Sequence, residues 1–498
     1  MSRTDALYIA VDLGAGSGRV MLGGLRPSEL RLDEVRRFTY PMSMREGHLR
    51  WPFGHILSEI RSGLADAARA AKALGRPVQS VGVDTWGVDY GLLDGSGRLI
   101  EDPIAYRDDR TARAMEAVHG RLPKAEVFAR TGIQFLVFNT LYQLHAHRAQ
   151  GLPAEARTLL MMADLIHHDL CGRAAIEFTN ASTTQLVNVQ TGTWDPDLLS
   201  LLGLPPGLLP PIVPAGTDLG PLLPDVAATT GLEGVRVVAP ATHDTGSAVV
   251  GAPLTPGWAY VSSGTWSLVG VERLSPLVNR DVERENFTNE GGAFQTVRFL
   301  KNVMGLWLLE SCRKEWQSAG RDVAYGTLLD EVAKLPTGAD EVIFPDDQRL
   351  FNPTSMLAAL GQQLQEAGAR LPESPAQVTK LILDSLALRY AQVIETIERL
   401  QGEPVLGIQI VGGGSQNAYL NQATADASGK PVLAGPVEAT AGGNVMVQAI
   451  AAGRFANLAE ARAHVRGALP FARFEPHPGR YAAEVRARFR ARQAQVPG

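Results

Sequence analysis

The sequence predicts an α/β protein of two domains, each with a mixed sheet flanked by helices. Three observations predict it. First, the chain has 498 residues, 45% hydrophobic and 20% charged, which is too long for one core and ordinary in balance for a globular protein. Second, it writes one pattern twice, Tyr8-Ile-Ala-Val-Asp-Leu-Gly-Ala-Gly-Ser-Gly-Arg-Val near the start and Tyr260-Val-Ser-Ser-Gly-Thr-Trp-Ser-Leu-Val past the midpoint. Each is an apolar strand, a turn of Gly and hydroxyl residues, and a second strand. Third, strand-length apolar runs alternate with helical periodicity in both halves.

The elements follow in order. Residues 6–12 and 18–23 read as a strand pair around the first turn, and 34–40 as a third strand. Ile56, Leu57, Ile60, Leu64, Ala68 and Ala71 recur at helical spacing, and Gly75 ends that helix. Val81 and Val83 alternate toward Asp84 as a short strand. Leu204 to Pro224 is too rich in proline for a helix or a central strand and reads as an ordered surface loop of the first domain. Gly251, Pro253, Pro256 and Gly257 mark the domain boundary, around 248–256. In the second half, Ser374-Pro375-Ala376-Gln377 resembles a capping box opening a long helix that runs to Gly402. Leu406, Ile408 and Ile410 alternate as a strand, Gly412-Gly413-Gly414 follow, and Asn417 to Ala427 is helical. Val432-Leu433 is a strand, Asn444 to Ala452 a helix, and Pro478 to Arg492 a basic terminal helix whose charges form a solvated face. The expected domains are 1–250, 251–460 and a helical extension over 461–498.

Bulk properties exclude several classes. The net charge of −5 gives no electrostatic footprint for nucleic acid or an anionic membrane. No apolar run reaches the roughly 18 residues of a membrane span. Asp5 and Asp12 interrupt the first stretch, which does not read as a secretory leader. Two cysteines, Cys171 and Cys312, make no disulfide framework. A reducing cytoplasm is the expected compartment.

The chemistry points to phosphate. A tight turn between strands presents backbone N–H groups to an anion, and two such turns suggest two lobes gripping one polyphosphate. Gly429-Lys430-Pro431 is no P-loop, and Gly14 to Gly18 leads into a strand, with Arg19 where a dinucleotide fingerprint needs Gly. Asp12 ends its strand beside the turn, placed to hold Mg²⁺ or to cap its own turn. Asp84 ends another strand as a second inward carboxylate. Thr242-His243-Asp244-Thr245 follows an apolar strand; Asp244 suits either a base that takes a hydroxyl proton during phosphoryl transfer or a helix N-cap. His167, His168 and Cys171 lack the further ligands of a zinc site.

Together these residues resemble the FGGY family of carbohydrate kinases and, within it, the branch acting on L-rhamnulose. The likeness covers nearly the whole chain. It is carried by Ala10-Val-Asp-Leu-Gly, Val83-Asp-Thr-Trp-Gly-Val-Asp, Tyr106-Arg-Asp-Asp-Arg-Thr, His243-Asp-Thr, Ser262-Ser-Gly-Thr-Trp-Ser-Leu, Lys301-Asn-Val-Met-Gly-Leu-Trp and Val411-Gly-Gly-Gly-Ser-Gln-Asn. The resemblance implies two ribonuclease-H-like domains of the actin-like ATPase kind with an inter-domain catalytic cleft. It implies an ATP- and Mg²⁺-dependent kinase phosphorylating O1 of L-rhamnulose, acting as a cytoplasmic monomer or homodimer. Asp244 would be the catalytic base; Gly87, His243, Thr245 and Asn302 would touch the sugar. Ala15, Gly16, Ser17, Gly18 and Arg19 would form the phosphate turn, with Thr265, Glu310 and Gly413 as further nucleotide contacts and Asp12 at the metal. Arg19 would add positive charge. The chain departs from the family at Glu310, where Gln is more frequent, at Gly16, where Ser is usual, and at Ser415, where some relatives have Cys. Other readings are a kinase of fuculose, xylulose or ribulose, or a non-catalytic actin-like ATP-binding protein.

Overall fold

The computed structural model describes residues 6–26, 29–321 and 323–495. The chain divides into two compact units: Met1–Pro253 with Glu272–Phe299 and Glu438–Leu469, and Leu254–Val271 with Leu300–Val437 and Pro470–Gly498.

The first unit is built on a mixed sheet. Its strands are β1 (Leu7–Leu13), β2 (Ser17–Arg26), β3 (Glu29–Thr39), β4 (Val78–Thr85), β5 (Asp218–Pro221) and β6 (Arg236–Val238), in the order β5-β6-β4-β1-β2-β3. β1 is buried along its whole length, which is why it reads as an almost unbroken apolar run. It pairs antiparallel with β2 and parallel with β4. Part of the proline-rich stretch is the edge strand β5, where Pro221 is tolerated because one side of the strand needs no ladder bond.

Helix α1 (Phe53–Ala73) buries Phe53, Ile56, Ile60, Leu64, Ala67 and Ala71, one apolar stripe, and Gly75 follows it at φ +64°. Helix α2 (Asp244–Gly251) and helix α3 (Ala439–Ala451) lie against each other at very close range. A Cβ on Gly443 would stand 1.8 Å from the Ser247 carbonyl oxygen, and one on Gly251 would stand 2.1 Å from that of Ala439. This crossing explains a departure from the sequence reading. Helix α3 starts five residues before Asn444 and packs within the first unit, so a single cut near residue 250 does not describe the division; Glu272–Phe299 also belongs to the first unit.

A second mixed sheet repeats the plan. Strands β7 (Trp258–Ser263), β8 (Trp266–Arg273), β9 (Val297–Met304), β10 (Gly407–Val411), β11 (Val432–Ala434) and β12 (Ala472–Phe474) are neighbours in the order β9-β8-β7-β10-β11-β12. β7 is antiparallel to β8 and parallel to β10. The helix Pro375–Gln401 starts with Pro375 at its first position and ends at Gly402, φ +76°, but the Ser374 side chain makes no capping hydrogen bond, so the capping box is not formed. The terminal helix spans Ala483–Gln495 rather than starting at Pro478. Its basic run is not wholly solvated: Arg492 is buried, 3.2 Å from Glu341.

Candidate active site

Three strand ends of the first unit bring the acidic residues together. Asp12 on β1 and Asp84 on β4 are register partners on parallel strands, so their side chains share one face. Thr85, the next residue, donates its N–H to the Thr242 carbonyl at 2.8 Å and forms a parallel bridge with His243. Asp244 follows as the first residue of α2, with His243 as its N-cap. The N-cap reading of Asp244 is therefore displaced by one residue.

The carboxylates perturb one another. Burial pushes the Asp84 carboxyl well above its ordinary range, Asp12's charge adds to this, and a hydrogen bond from Asn444 opposes it. Asn444 Nδ2, on α3, donates to Asp84 Oδ2 at 2.5 Å; Gln448 in turn donates to Asn444 Oδ1 at 2.7 Å. Burial also raises Asp244, the adjacent His243 opposes the shift, and Asp12's charge adds to it. Asp244 Oδ1 is occupied: it accepts the Thr245 N–H at 2.5 Å and the Thr245 hydroxyl at 3.1 Å, with His243 Nε2 at 3.5 Å. The Asp244 side chain keeps 30% of its exposure, and Oδ2 takes no hydrogen bond from any described residue.

Oxygen donors of this kind fit Mg²⁺. Asp84 Oδ1 is buried and has no hydrogen-bond partner, and Asp12 faces the same space. Among the described residues no group of three or more His, Cys, Asp or Glu encloses an ion. Mg²⁺ in phosphoryl-transfer sites takes one or two carboxylates, with phosphate and water completing its shell.

The glycine turn expected to face phosphate is tighter than its sequence suggests. Gly14 N–H bonds to the Ser17 carbonyl at 3.0 Å and Gly16 N–H to the Gly14 carbonyl at 2.8 Å, so two of the donors expected to face an anion are spent inside the turn. Gly16 and Ser17 form the exposed tip. A Cβ on Gly16 meets nothing within 4 Å, so Ser fits there as well. The Tyr40 hydroxyl holds the turn from below through the carbonyls of Gly14 (2.5 Å) and Ser17 (2.8 Å). Gly18 is packed against Leu13 and Phe38, where a Cβ would stand 2.5 Å from the Leu13 side chain. Ala15 is half-buried. Arg19 does not offer a free positive charge: it bonds Asp12 Oδ2 at 2.5 Å and also pairs with Glu438 at the start of α3.

The segment Trp86-Gly87-Val88-Asp89 is held rigidly. Asp89 accepts from Trp51 Nε1 (2.7 Å), Trp86 Nε1 (2.9 Å), the Tyr106 N–H (3.1 Å) and Gln143 (3.1 Å). Val88 sits at φ +69°, a strained conformation for a β-branched residue, fixed by Thr140 and Gln143 on its carbonyl. A Cβ on Gly87 would stand 3.0 Å from the Thr183 hydroxyl. Beneath His243, Glu177 accepts the N–H and hydroxyl of both Thr179 and Thr242. His167 Nε2 accepts the Val83 N–H at 3.1 Å, a structural role.

The second unit gathers three of the remaining candidates. Exposed Thr265 lies in the β7–β8 turn, and its carbonyl accepts the N–H of Gly305 and Trp307 at the start of the helix Trp307–Ser318. Glu310 lies in that helix's first turn, paired with Arg313 at 2.6 Å. Gly413 is exposed after β10; a Cβ on neighbouring Gly414 would stand 2.0 Å from the Ser263 hydroxyl, so the glycine turn and the hairpin touch. Asn302 lies on β9, half-buried.

Sequence reasoning missed Tyr40, Glu177, Glu290, Arg298, Glu438 and Asn444. Only Asn444 carried a local signal, a polar residue on an otherwise small and apolar helix face.

Residues 7–251 match the N-terminal domain of the FGGY family of carbohydrate kinases, and residues 259–452 match its C-terminal domain. The chain is 39% identical to a rhamnulokinase of Bacillus subtilis over 471 residues, covering 94% of this chain and 95% of that one. It is 44% identical to a rhamnulokinase of Pectobacterium carotovorum, covering 94% and 92%. A Klebsiella pneumoniae rhamnulokinase is 41% identical, covering 98% of each chain. Among solved structures, a ligand-bound xylulose kinase from Lactobacillus acidophilus superposes with a TM-score of 0.81 at 14% identity, covering 98% of this chain and 97% of that one. A Plasmodium falciparum glycerol kinase with ADP gives 0.77 at 13%, with the same coverage. These last two likenesses speak to fold.

Proposed function

We propose that this chain, which belongs to the FGGY family of carbohydrate kinases, transfers the γ-phosphoryl group of ATP to O1 of L-rhamnulose, giving L-rhamnulose 1-phosphate and ADP in the breakdown of L-rhamnose. The observation that carries the chemistry is the Asp244 carboxylate, with one oxygen held by Thr245 and the other open. The similarity to rhamnulokinases over nearly the whole chain supports the substrate.

In this reading Oδ2 of Asp244 takes the proton from O1 as that oxygen attacks the γ-phosphorus in line. A raised pKa brings the carboxylate closer to the task of a base near neutrality. Gly87, His243, Thr245 and Asn302 position the sugar. Ala15, Gly16, Ser17, Gly18 and Arg19 present the turn to the phosphates, and Thr265, Glu310 and Gly413 contact the nucleotide. Asp12, with Asp84 beside it, would hold Mg²⁺, which when bound would neutralise charge on the transferring group. Asn444 and Glu438 hold Asp84 and Arg19 in place for this arrangement. The protein works as a cytoplasmic monomer or homodimer; its two free cysteines suit a reducing compartment.

The test is Asp244→Asn with sugar binding measured by calorimetry and turnover by ADP release. We expect binding to persist and kcat to fall by about 10²–10⁴-fold, the usual contribution of a positioned base. Near-normal turnover overturns the assignment. A ketose panel of L-rhamnulose, L-fuculose, D-xylulose and L-ribulose tests the substrate; a higher kcat/KM on any of the last three replaces it.

A further inference from the structure

Resting on the reading of Asp244 as base, we infer that Arg298 is a positioning residue that fixes the tautomer of His243, keeping the imidazole proton on Nε2, toward the base. Arg298 is fully buried, at 0% exposure. Its Nε donates to the Gly291 carbonyl at 2.8 Å, and its Nη2 lies 3.0 Å from His243 Nδ1. A guanidinium has five donors and no acceptor. The contact therefore forms only if Nδ1 presents a lone pair. A neutral imidazole with a bare Nδ1 carries its proton on Nε2. That nitrogen faces Asp244 Oδ1 at 3.5 Å.

A second group competes for the same nitrogen. Glu290 Oε2 stands 3.4 Å from His243 Nδ1 and 3.1 Å from Arg298 Nη1. Glu290 alone would draw a proton onto Nδ1. Arg298, closer to the nitrogen and itself ion-paired with that carboxylate, reverses the preference. The backbone beneath the ring is fixed: the His243 N–H is held by the Thr179 hydroxyl at 3.1 Å, and Thr179 and Thr242 are both pinned by Glu177.

The tautomer matters for proton transfer. With Nε2–H facing it at 3.5 Å, Asp244 Oδ1 meets a favourable dipole beside its two Thr245 bonds, and the open Oδ2 is left as the acceptor for the sugar proton. With the opposite tautomer, a bare Nε2 faces a carboxylate oxygen, two acceptors in contact, and His243 becomes a rival base for the same proton. Arg298 thus keeps the site with one base.

The experiment uses the full chain labelled with ¹⁵N-histidine at pH 7.5. Long-range proton–nitrogen spectra report which ring nitrogen carries the proton, and the His243 signals are those lost in His243→Gln. We expect the Nε2–H pattern in the wild type and in Glu290→Gln, and a move to Nδ1–H in Arg298→Met, where Glu290 captures the proton. The double variant Arg298→Met/Glu290→Gln, which buries no unpaired charge, should show a mixture of tautomers and remain folded. In Arg298→Met, kcat should fall about 10–100-fold, the worth of one strong hydrogen bond, with the KM for ATP unchanged. An Nδ1–H or doubly protonated His243 in the wild type overturns the inference, as does an unchanged tautomer in both Arg298 variants. Full turnover by Asp244→Asn with the expected spectra would instead overturn the base assignment and leave the tautomer assignment standing.

Discussion

Two adjacent glycines in α3 should respond to the same substitution with opposite signs. A Cβ on Gly442 meets the Leu30 and Leu32 side chains at 3.6 and 3.7 Å, ordinary van der Waals distances. Gly442→Ala should therefore gain most of the helix-propensity difference, about 0.5–1 kcal/mol. A Cβ on Gly443 would stand 1.8 Å from the Ser247 carbonyl oxygen and 2.8 Å from the Gly251 nitrogen. Both are backbone atoms of α2 and cannot swing aside, so the helices must separate by roughly 1 Å, at about 1–3 kcal/mol or more of overpacking. The same separation would draw Asn444 from Asp84 and Glu438 from Arg19, contacts that α3 makes across to the acidic cluster. Urea unfolding followed by tryptophan fluorescence should place Gly442→Ala above the wild type and Gly443→Ala below it, about 3 kcal/mol apart. Turnover of Gly442→Ala should be unchanged, and that of Gly443→Ala reduced about 10²-fold, the usual consequence of a 1 Å misplacement. Equal unfolding midpoints for the two variants would refute the close crossing of α2 and α3.

Three further outcomes follow from Glu177, Tyr40 and Asp244. Burial pushes Glu177 from its ordinary 4.5 to about 7, against the hydrogen bonds of Thr179 and Thr242. Its charged form is disfavoured in the fold, so its contribution to stability is complete below pH 4.5 and is lost as pH rises to 7, by about 3 kcal/mol. Glu177→Gln should flatten that part of the stability–pH curve, read as a smaller difference between unfolding midpoints at pH 5 and pH 8 than in the wild type. Tyr40→Phe removes the hydroxyl that holds the Gly14 and Ser17 carbonyls; the KM for ATP should rise about 3–10-fold, the worth of one modest hydrogen bond, with the KM for sugar unmoved. Asp244 must be ionised to act as base, and burial and Asp12 raise its pKa above the ordinary 3.8. The acid limb of the kcat/KM profile should therefore lie above the usual aspartate range, and a limb within that range contradicts the role.

Much of the scaffold was legible because its signals are local. β1 and its glycine turn, the stripe of α1, the second hairpin and the glycine stop at Gly402 each follow from spacing within about a dozen residues. The carboxylates stood out for the same reason, Asp12 and Asp84 each near the end of an apolar strand and Asp244 in the segment that follows one. The start of α3 was misjudged because Ala439 to Gly443 has poor intrinsic helix propensity; what makes it helical is the backbone of α2 pressed against it. The capping box at Ser374 failed in the opposite sense, since the sequence carried the motif and the helix formed without its side-chain bond.

Arg19 shows where local reading stops. Beside a phosphate turn, a lone arginine reads as charge waiting for an anion. Its register partner Asp12 is seven residues away, but Glu438 is 419 residues away, and no spacing rule connects them. With both carboxylates on it, the guanidinium has little charge to spare for a ligand. In the proposed kinase reading, the phosphates would then fall to the backbone donors that the turn leaves open. Arg19 is a cross-brace that holds Asp12 and ties the glycine turn to the residue before α3. The same logic extends to His243. Its partners Arg298 and Glu290 lie on a segment about 50 residues further on, and no local spacing marks them.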